Sequence, residues 1–240
     1  MKKAIVIGSS SGIGRELAKI LSRQNYIVGL VGRRIHLLEE VSKEIENISF
    51  IKQIDIASSD ARSLLNELIS EMGGVDLIVI NAGIGTPNPD LHWSVDKETI
   101  DINISGFAAM ANTAFHHFRQ KGAGHLVGIS SIIALRGSRV SPAYSASKAF
   151  VSNYLQGLRW QIAKLGLPIT VTDIKPGYVE TAMIRERNSK FFFWVASPQK
   201  AARQIFKAID KKRKYAYITR RWRIVGWALR IVPDYIYNKL

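Results

Sequence analysis

Tyr144 and Lys148 stand four residues apart in "YSASK", within a helical stretch, so both side chains project from one face, one turn apart. A free phenol, with a pKa of about 10, is a poor base at neutral pH, and a nearby ammonium that favours the phenolate suits it to acid/base work. Ser131 precedes Tyr144 by thirteen residues and falls at the end of a predicted fifth strand, where a parallel sheet presents its ligand crevice. Its hydroxyl can donate to a carbonyl oxygen that is gaining charge. Ser130 offers the same group one position earlier, but the spacing to Tyr144 favours Ser131.

A second constellation lies near the start. In "VIGSSSGIGRELAKIL" an apolar run is broken by Gly8, Gly12 and Gly14, and an amphipathic helix restarts at once. Glycines there let a ligand phosphate approach the free N–H groups of the helix, and they equally permit a tight strand-to-helix turn. The G-x-x-x-G-x-G spacing alone does not choose between the two.

The elements that would carry these groups follow one rhythm. Short β-branched runs near 3–7, 26–31, 48–54, 76–80, 125–130, 169–174 and 215–218 alternate with helical patterns. The strands are nearly all apolar, as when both faces of a parallel sheet are covered, and the linking segments are long enough for crossover helices. The expected fold is α/β, a Rossmann-type doubly wound sheet of about seven parallel strands with helices on both faces. Residues 1–219 would form one domain, with 182–197 as a substrate loop and 220–240 as a basic, aromatic tail. Ser197 and Pro198 read as an N-cap and first helical position.

Composition narrows the classes further. The chain of 240 residues has no cysteine, which removes disulfides and thiolate metal sites and fits a reducing compartment. The five histidines are scattered without metal-ligand spacing, so no metal is expected. "MKKAIVIG" mimics the start of a signal peptide, but Gly8 stops the apolar run too early, and no window is long enough to span a bilayer. A cytoplasmic protein is expected, with peripheral membrane contact left open. Most of the net charge of +15 sits beyond Gln199, where it could meet an anionic surface. The charge is local and no recognition fold accompanies it, which argues against nucleic acid.

Six motifs, in order, resemble the short-chain dehydrogenase/reductase family: "GSSSGIG" at 8–14, "NAG" at 81–83, Asn103 in "DINISG", "ISS" at 129–131, "YSASK" at 144–148 and "PGYVET" at 176–181. The likeness runs from residue 3 to about 210. Ile7 departs from it, since many members carry threonine before the first glycine. The resemblance implies that Tyr144 gives or takes the substrate proton and Ser131 holds the substrate oxygen. It further implies that Lys148 lowers the tyrosine pKa and binds the nicotinamide ribose, while Asn103 positions a water linking Lys148 to solvent. For the dinucleotide it implies Gly8, Ser10, Gly12, Ile13 and Gly14 at the pyrophosphate, and Asp55 with Ile56 at the adenine. Asn81, Ala82 and Gly83 would pass the adenosine ribose, and Val179 and Thr181 would reach the carboxamide and pyrophosphate. Dimers or tetramers are also implied, through the apolar helix near 103–118 and the helix bearing Tyr144.

At the end of the second strand, relatives that bind NAD usually place an acid that would repel a 2′-phosphate. Here "LVGRRIHLLEE" has Gly32 at that position, followed by Arg33 and Arg34. Guanidinium groups suit a phosphate, and cations at a helix N-terminus are unfavourable without an anion, so NADP(H) is expected over NAD(H). The aromatics of "FFFWVA", 191–196, would line an apolar substrate site, meet a partner or fill the core under the loop. A helix from Trp222 to Val232, ended by Pro233, would put Arg223, Gly226 and Arg230 on one side, and its tail could meet lipid, a second subunit or its own domain. The activity expected is carbonyl–alcohol interconversion on an apolar small molecule; the competing class is a noncatalytic cofactor-binding or membrane-docking scaffold.

Overall fold

In the computed structural model, residues 1–180 and 194–237 are described. They form β1 (Lys2–Ile7), α1 (Gly12–Arg23), β2 (Tyr26–Gly32), α2 (Ile35–Lys43), β3 (Ser49–Gln53), α3 (Ala61–Glu71), β4 (Leu77–Ile80) and α4 (Trp93–Ile100). A π-helical turn (Asp101–Gly106) leads into α5 (Phe107–Lys121) and β5 (Gly124–Ile129), and a 3-10 turn (Ile132–Leu135) precedes α6 (Pro142–Lys164). Then come β6 (Ile169–Pro176), α7 (Pro198–Asp210), β7 (Tyr215–Ile218), α8 (Trp222–Ile231) and the short α9 (Asp234–Tyr237).

Alternation along the central strands builds two cores. Ile5 and Ile7 of β1 and Ile78 and Ile80 of β4 pack with Leu65 and Leu68 of α3, Phe107 and Met110 of α5, and Leu155 of α6. The intervening Ala4, Val6, Leu77 and Val79 point the other way, against Leu17 and Leu21 of α1 and Ile205 of α7. A side-chain period of two on strands covered on both faces requires apolar residues at every covered position, as residues 4–7 of β1 and all of β4 show. The seven strands are parallel, in the order β3-β2-β1-β4-β5-β6-β7.

That order reverses direction between β1 and β4, and a crevice opens outside the carboxyl ends of those two strands. Gly8 and Asn81 follow directly from them. Ser197 caps α7, its Oγ accepting from the Lys200 amide at 3.3 Å, with Pro198 at the first helical position.

Much of the apolar character of 103–118 is accounted for within one chain, because Phe107, Met110, Ala111, Ala114 and Phe118 are buried in its own core. On α8, Arg223, Gly226 and Arg230 lie three and four residues apart on one side of the helix, as the spacing predicts; Gly226 is buried beside Trp222 against the domain, while both arginines are exposed at the edge of that contact. A Cβ at Gly226 would stand 2.9 Å from Ile132 and Tyr217, so only glycine lets the helix approach this closely.

Candidate active site

Each of the three early glycines has its own physical cause. Gly8 has φ +88°, and a Cβ there would stand 2.6 Å from the Ala82 nitrogen, so the ends of β1 and β4 touch through it. Gly12 also adopts a positive φ, +57°. Gly14 is a packing position, where a Cβ would meet the Gly8 carbonyl at 2.0 Å. Asn81 Nδ2 donates to that same carbonyl at 2.8 Å, locking the "NAG" turn to the glycine turn. Ser11 at the N-cap of α1 gives its hydroxyl no first-turn amide, so these donors are left for an anion.

A cavity of about 340 Å³ begins at this turn and runs past Gly83 to Ser131, Tyr144 and Lys148. Ser10, Ile13, Arg33, Arg34, Asp55, Ile56, Asn81, Ala82 and Val179 line it as well. Tyr144 and Lys148 share a face of α6, with Lys148 Nζ 5.7 Å from the centre of the Tyr144 ring. Lys148 is only 6% exposed, and its Nζ donates to the Ile129 carbonyl at 3.2 Å. Burial lowers its pKa to about 8, while the charge of Asp173 pulls in the opposite direction.

Ser131 caps the 3-10 turn, accepting from the Ile133 amide at 3.3 Å, and its Oγ donates weakly to the Pro176 carbonyl at 3.5 Å. Ser130 has a different fate. Its hydroxyl is buried and donates to Asp173 Oδ1 and to the Ile174 carbonyl. Asn103 lies in the π-helical turn, an element that recurs at functional sites. Its Oδ1 accepts from the Ile84 amide at 2.9 Å, and its Nδ2 donates to the Ile84 carbonyl at 2.8 Å and to Ser147 Oγ at 3.0 Å. A Cβ at Gly83 would stand 3.0 Å from Asn103 Oδ1 and 3.1 Å from Lys148 Nζ, so this glycine keeps open the space between them.

At the opposite end, Arg34 reaches back from the N-cap of α2 and donates to Ser10 Oγ at 2.9 Å and Ser11 Oγ at 3.0 Å. Arg33 lies 3.9 Å from Asp55 Oδ2, an exposed pair of little energetic consequence. A Cβ at Gly32 would meet nothing closer than 3.5 Å, so sterics do not demand glycine where an acid is otherwise expected.

Val179 pairs with Ala196, and the Glu180 amide donates to the Ala196 carbonyl at 2.9 Å, closing the base of the segment between them. Thr181 and the aromatics 191–193 lie outside the described residues. Trp194, from the same run, packs edge-on to Trp222, and Ala196 is buried.

Two features escaped the sequence. Asp173 and Lys175 form a buried ion pair under the site, with Ser130 and Ser152 as further partners. Their i, i+2 spacing on a strand was the available signal, since it puts both on one face. Arg136 donates to the Leu229 carbonyl at 2.6 Å, to the Val232 carbonyl and to Asp234, binding the end of α8 to the turn that follows Ser131. Nothing local marks that pairing. Of the histidines, His125 is buried against Thr172 Oγ1 at 2.8 Å and His117 accepts from the Val75 amide, so both serve the sheet.

The family model for short chain dehydrogenases matches residues 2–191. The chain belongs to the short-chain dehydrogenase family. An uncharacterized oxidoreductase of Myxococcus xanthus is 36% identical over 193 residues, covering 78% of this chain and 76% of its own. One from Mycobacterium tuberculosis is 34% identical over 192 residues, covering 76% and 75%. Among solved structures, the 3-ketoacyl-(acyl-carrier-protein) reductase of Brucella melitensis, complexed with NADH, superposes with a TM-score of 0.82. It shares 24% identity over 90% of this chain and 95% of its own. The alcohol dehydrogenase of Thermococcus sibiricus, complexed with 5-hydroxy-NADP, gives 0.79 at 20% identity, over 90% and 94%. Both likenesses concern the fold. The chain is an oxidoreductase of this family.

Proposed function

We propose that this dehydrogenase interconverts a carbonyl and an alcohol on an apolar small molecule, using NADP(H). The observation that carries the reading is the convergence of Ser131, Tyr144 and Lys148 on the cavity that begins at the glycine turn. The residues present fit a dinucleotide: a tight turn that the positive φ of Gly8 and Gly12 permits, uncapped first-turn amides, and two guanidinium groups beyond them. When bound, the nicotinamide supplies or accepts the hydride.

The first turn of α1, with Ser10, Gly12 and Ile13, would hold the pyrophosphate, and Lys148 the nicotinamide ribose. Asp55 and Ile56 would meet the adenine; Asn81, Ala82 and Gly83 would border its ribose; and Val179 and Thr181 would approach the carboxamide end. Tyr144 Oη moves the proton to or from the substrate oxygen. Lys148, charged below its pKa of about 8, favours the phenolate by Coulombic attraction inside a low-dielectric pocket. Ser131 Oγ donates to the same substrate oxygen and holds it as its charge changes. Asn103 acts through Lys148 and keeps the water path beside Gly83 open.

Arg33 and Arg34 support the phosphate-bearing cofactor. Arg34 already stands over the cradle, and the position where an acid would repel a 2′-phosphate is Gly32. The apolar substrate rests on the composition of the aromatic run 191–194, of which Trp194 packs on Trp222, and a homodimer or homotetramer follows from the family resemblance.

The test is hydride transfer, followed as NADPH absorbance across carbonyl and alcohol panels, in the wild type and in Tyr144→Phe. Turnover that vanishes in the variant while NADPH binding persists supports an enzyme. Absence of turnover in the wild type, with cofactor bound, supports a noncatalytic scaffold.

A further inference from the structure

Helix α8 is apolar on two opposite sides. Trp222 and Gly226, one turn apart, face the domain, where Trp222 packs on Gly177 and Tyr178 and Gly226 on Ile132 and Leu135. Ile224, Trp227 and Ile231 occupy the opposite side and are 72%, 66% and 58% exposed. An ordinary surface helix is polar on its outer face. Tyr235 and Ile236 of α9 are exposed as well.

Its charge is of one sign. Arg220, Arg221, Arg223 and Arg230 are all exposed, and no acidic residue occurs from Lys211 to Pro233. Asp234, the next acid, is held by Arg136. Trp227 and two isoleucines between arginines form the pattern of a helix lying in the plane of a membrane interface.

We propose that α8 docks the dehydrogenase on an anionic lipid surface, with Ile224, Trp227 and Ile231 entering the headgroup boundary and the flanking arginines on lipid phosphates. Charge complementarity selects this occupant over a second copy of the chain. A two-fold contact through α8 would bring guanidinium groups together with no acid in the segment to offset them. Arg136 fixes the helix at its C-terminal end, so the face is rigidly joined to the turn after Ser131. Docking therefore holds the turn after Ser131 one helix away from the lipid. That this serves substrate delivery rests on the proposed apolar substrate; the docking does not.

Co-sedimentation of the full chain with vesicles tests this without turnover, so its failure leaves the enzymatic reading standing. The chain is expected to pellet with phosphatidylcholine vesicles containing about a third phosphatidylglycerol, and not with phosphatidylcholine alone. Ile224→Ser/Trp227→Ser/Ile231→Ser should lower the partition coefficient by about tenfold or more, and Arg223→Glu/Arg230→Glu or high salt should lower it as well. Circular dichroism checks that the variants are folded. In the wild type, brominated lipid should quench tryptophan fluorescence. Failure of the wild type to pellet with anionic vesicles overturns the proposal. So does pelleting indifferent to both variants, or a dimer that dissociates in the triple variant while lipid binding is absent.

Discussion

Ser130 gives its hydroxyl to the Asp173 carboxylate, 43 residues further along the chain, and this separates two adjacent serines of the same type. Both serines border the cavity, but the Ser130 hydroxyl is bound into the buried Asp173–Lys175 network, while that of Ser131 makes only the weak bond to the Pro176 carbonyl. Ser131→Ala should reduce turnover by at least about a hundredfold with little change in melting temperature. Ser130→Ala should cost about 1–3 kcal/mol of stability, because a buried carboxylate loses a donor, and should alter turnover far less. Thermal denaturation beside steady-state kinetics on both variants checks the pair.

Lys148 carries a charge in a place that disfavours it. Its folded pKa of about 8 lies below the ordinary 10.5, so between these values the folded state holds fewer protons than the unfolded state. The contribution of this site to stability therefore rises as pH climbs from about 8 to 10.5 and is least below pH 8. Lys148→Met should raise the melting temperature at pH 7, lose that pH dependence and abolish turnover. Calorimetry at several pH values reads the first two effects, and an NADPH assay reads the third.

Cofactor choice should depend on the end of β2. Arg33→Ala/Arg34→Ala is expected to weaken NADPH binding by about tenfold to a hundredfold and to leave NADH nearly unchanged. Because a Cβ is accommodated at Gly32, Gly32→Asp should fold normally and shift preference toward NADH. Titration of both cofactors against intrinsic fluorescence gives the ratio, and equal wild-type affinities would remove the NADP(H) assignment.

Gly14 tolerates no side chain, since a Cβ would fall 2.0 Å from the Gly8 carbonyl. Gly14→Ala should displace α1 from the strand end, destabilise the fold by about 3 kcal/mol or more and eliminate dinucleotide binding. Denaturant unfolding measures the first effect and NADPH titration the second.

Arg136 accounts for the attachment of the C-terminal helix. Arg136→Ala leaves the Leu229 and Val232 carbonyls without this donor and Asp234 without its cation. The expected result is faster proteolytic cleavage within 222–237 while the sheet domain resists, read by limited proteolysis and mass spectrometry.

The sequence by itself determined the alternation of strands and helices, the glycine turn, the Tyr144–Lys148 pair on one helix face and the missing acid at Gly32. Each depends on residues within a turn or two of one another, so periodicity and spacing suffice to read it. Tertiary structure decided which of the two serine hydroxyls is bound into a buried ion-pair network, what Arg136 holds 93 residues away and which side of α8 the domain covers. It also put Phe107, Met110, Ala114 and Phe118 of the 103–118 segment into the chain's own core. These outcomes arise where distant elements meet, and the free energy that selects them belongs to the packed assembly of strands and helices, not to any segment alone.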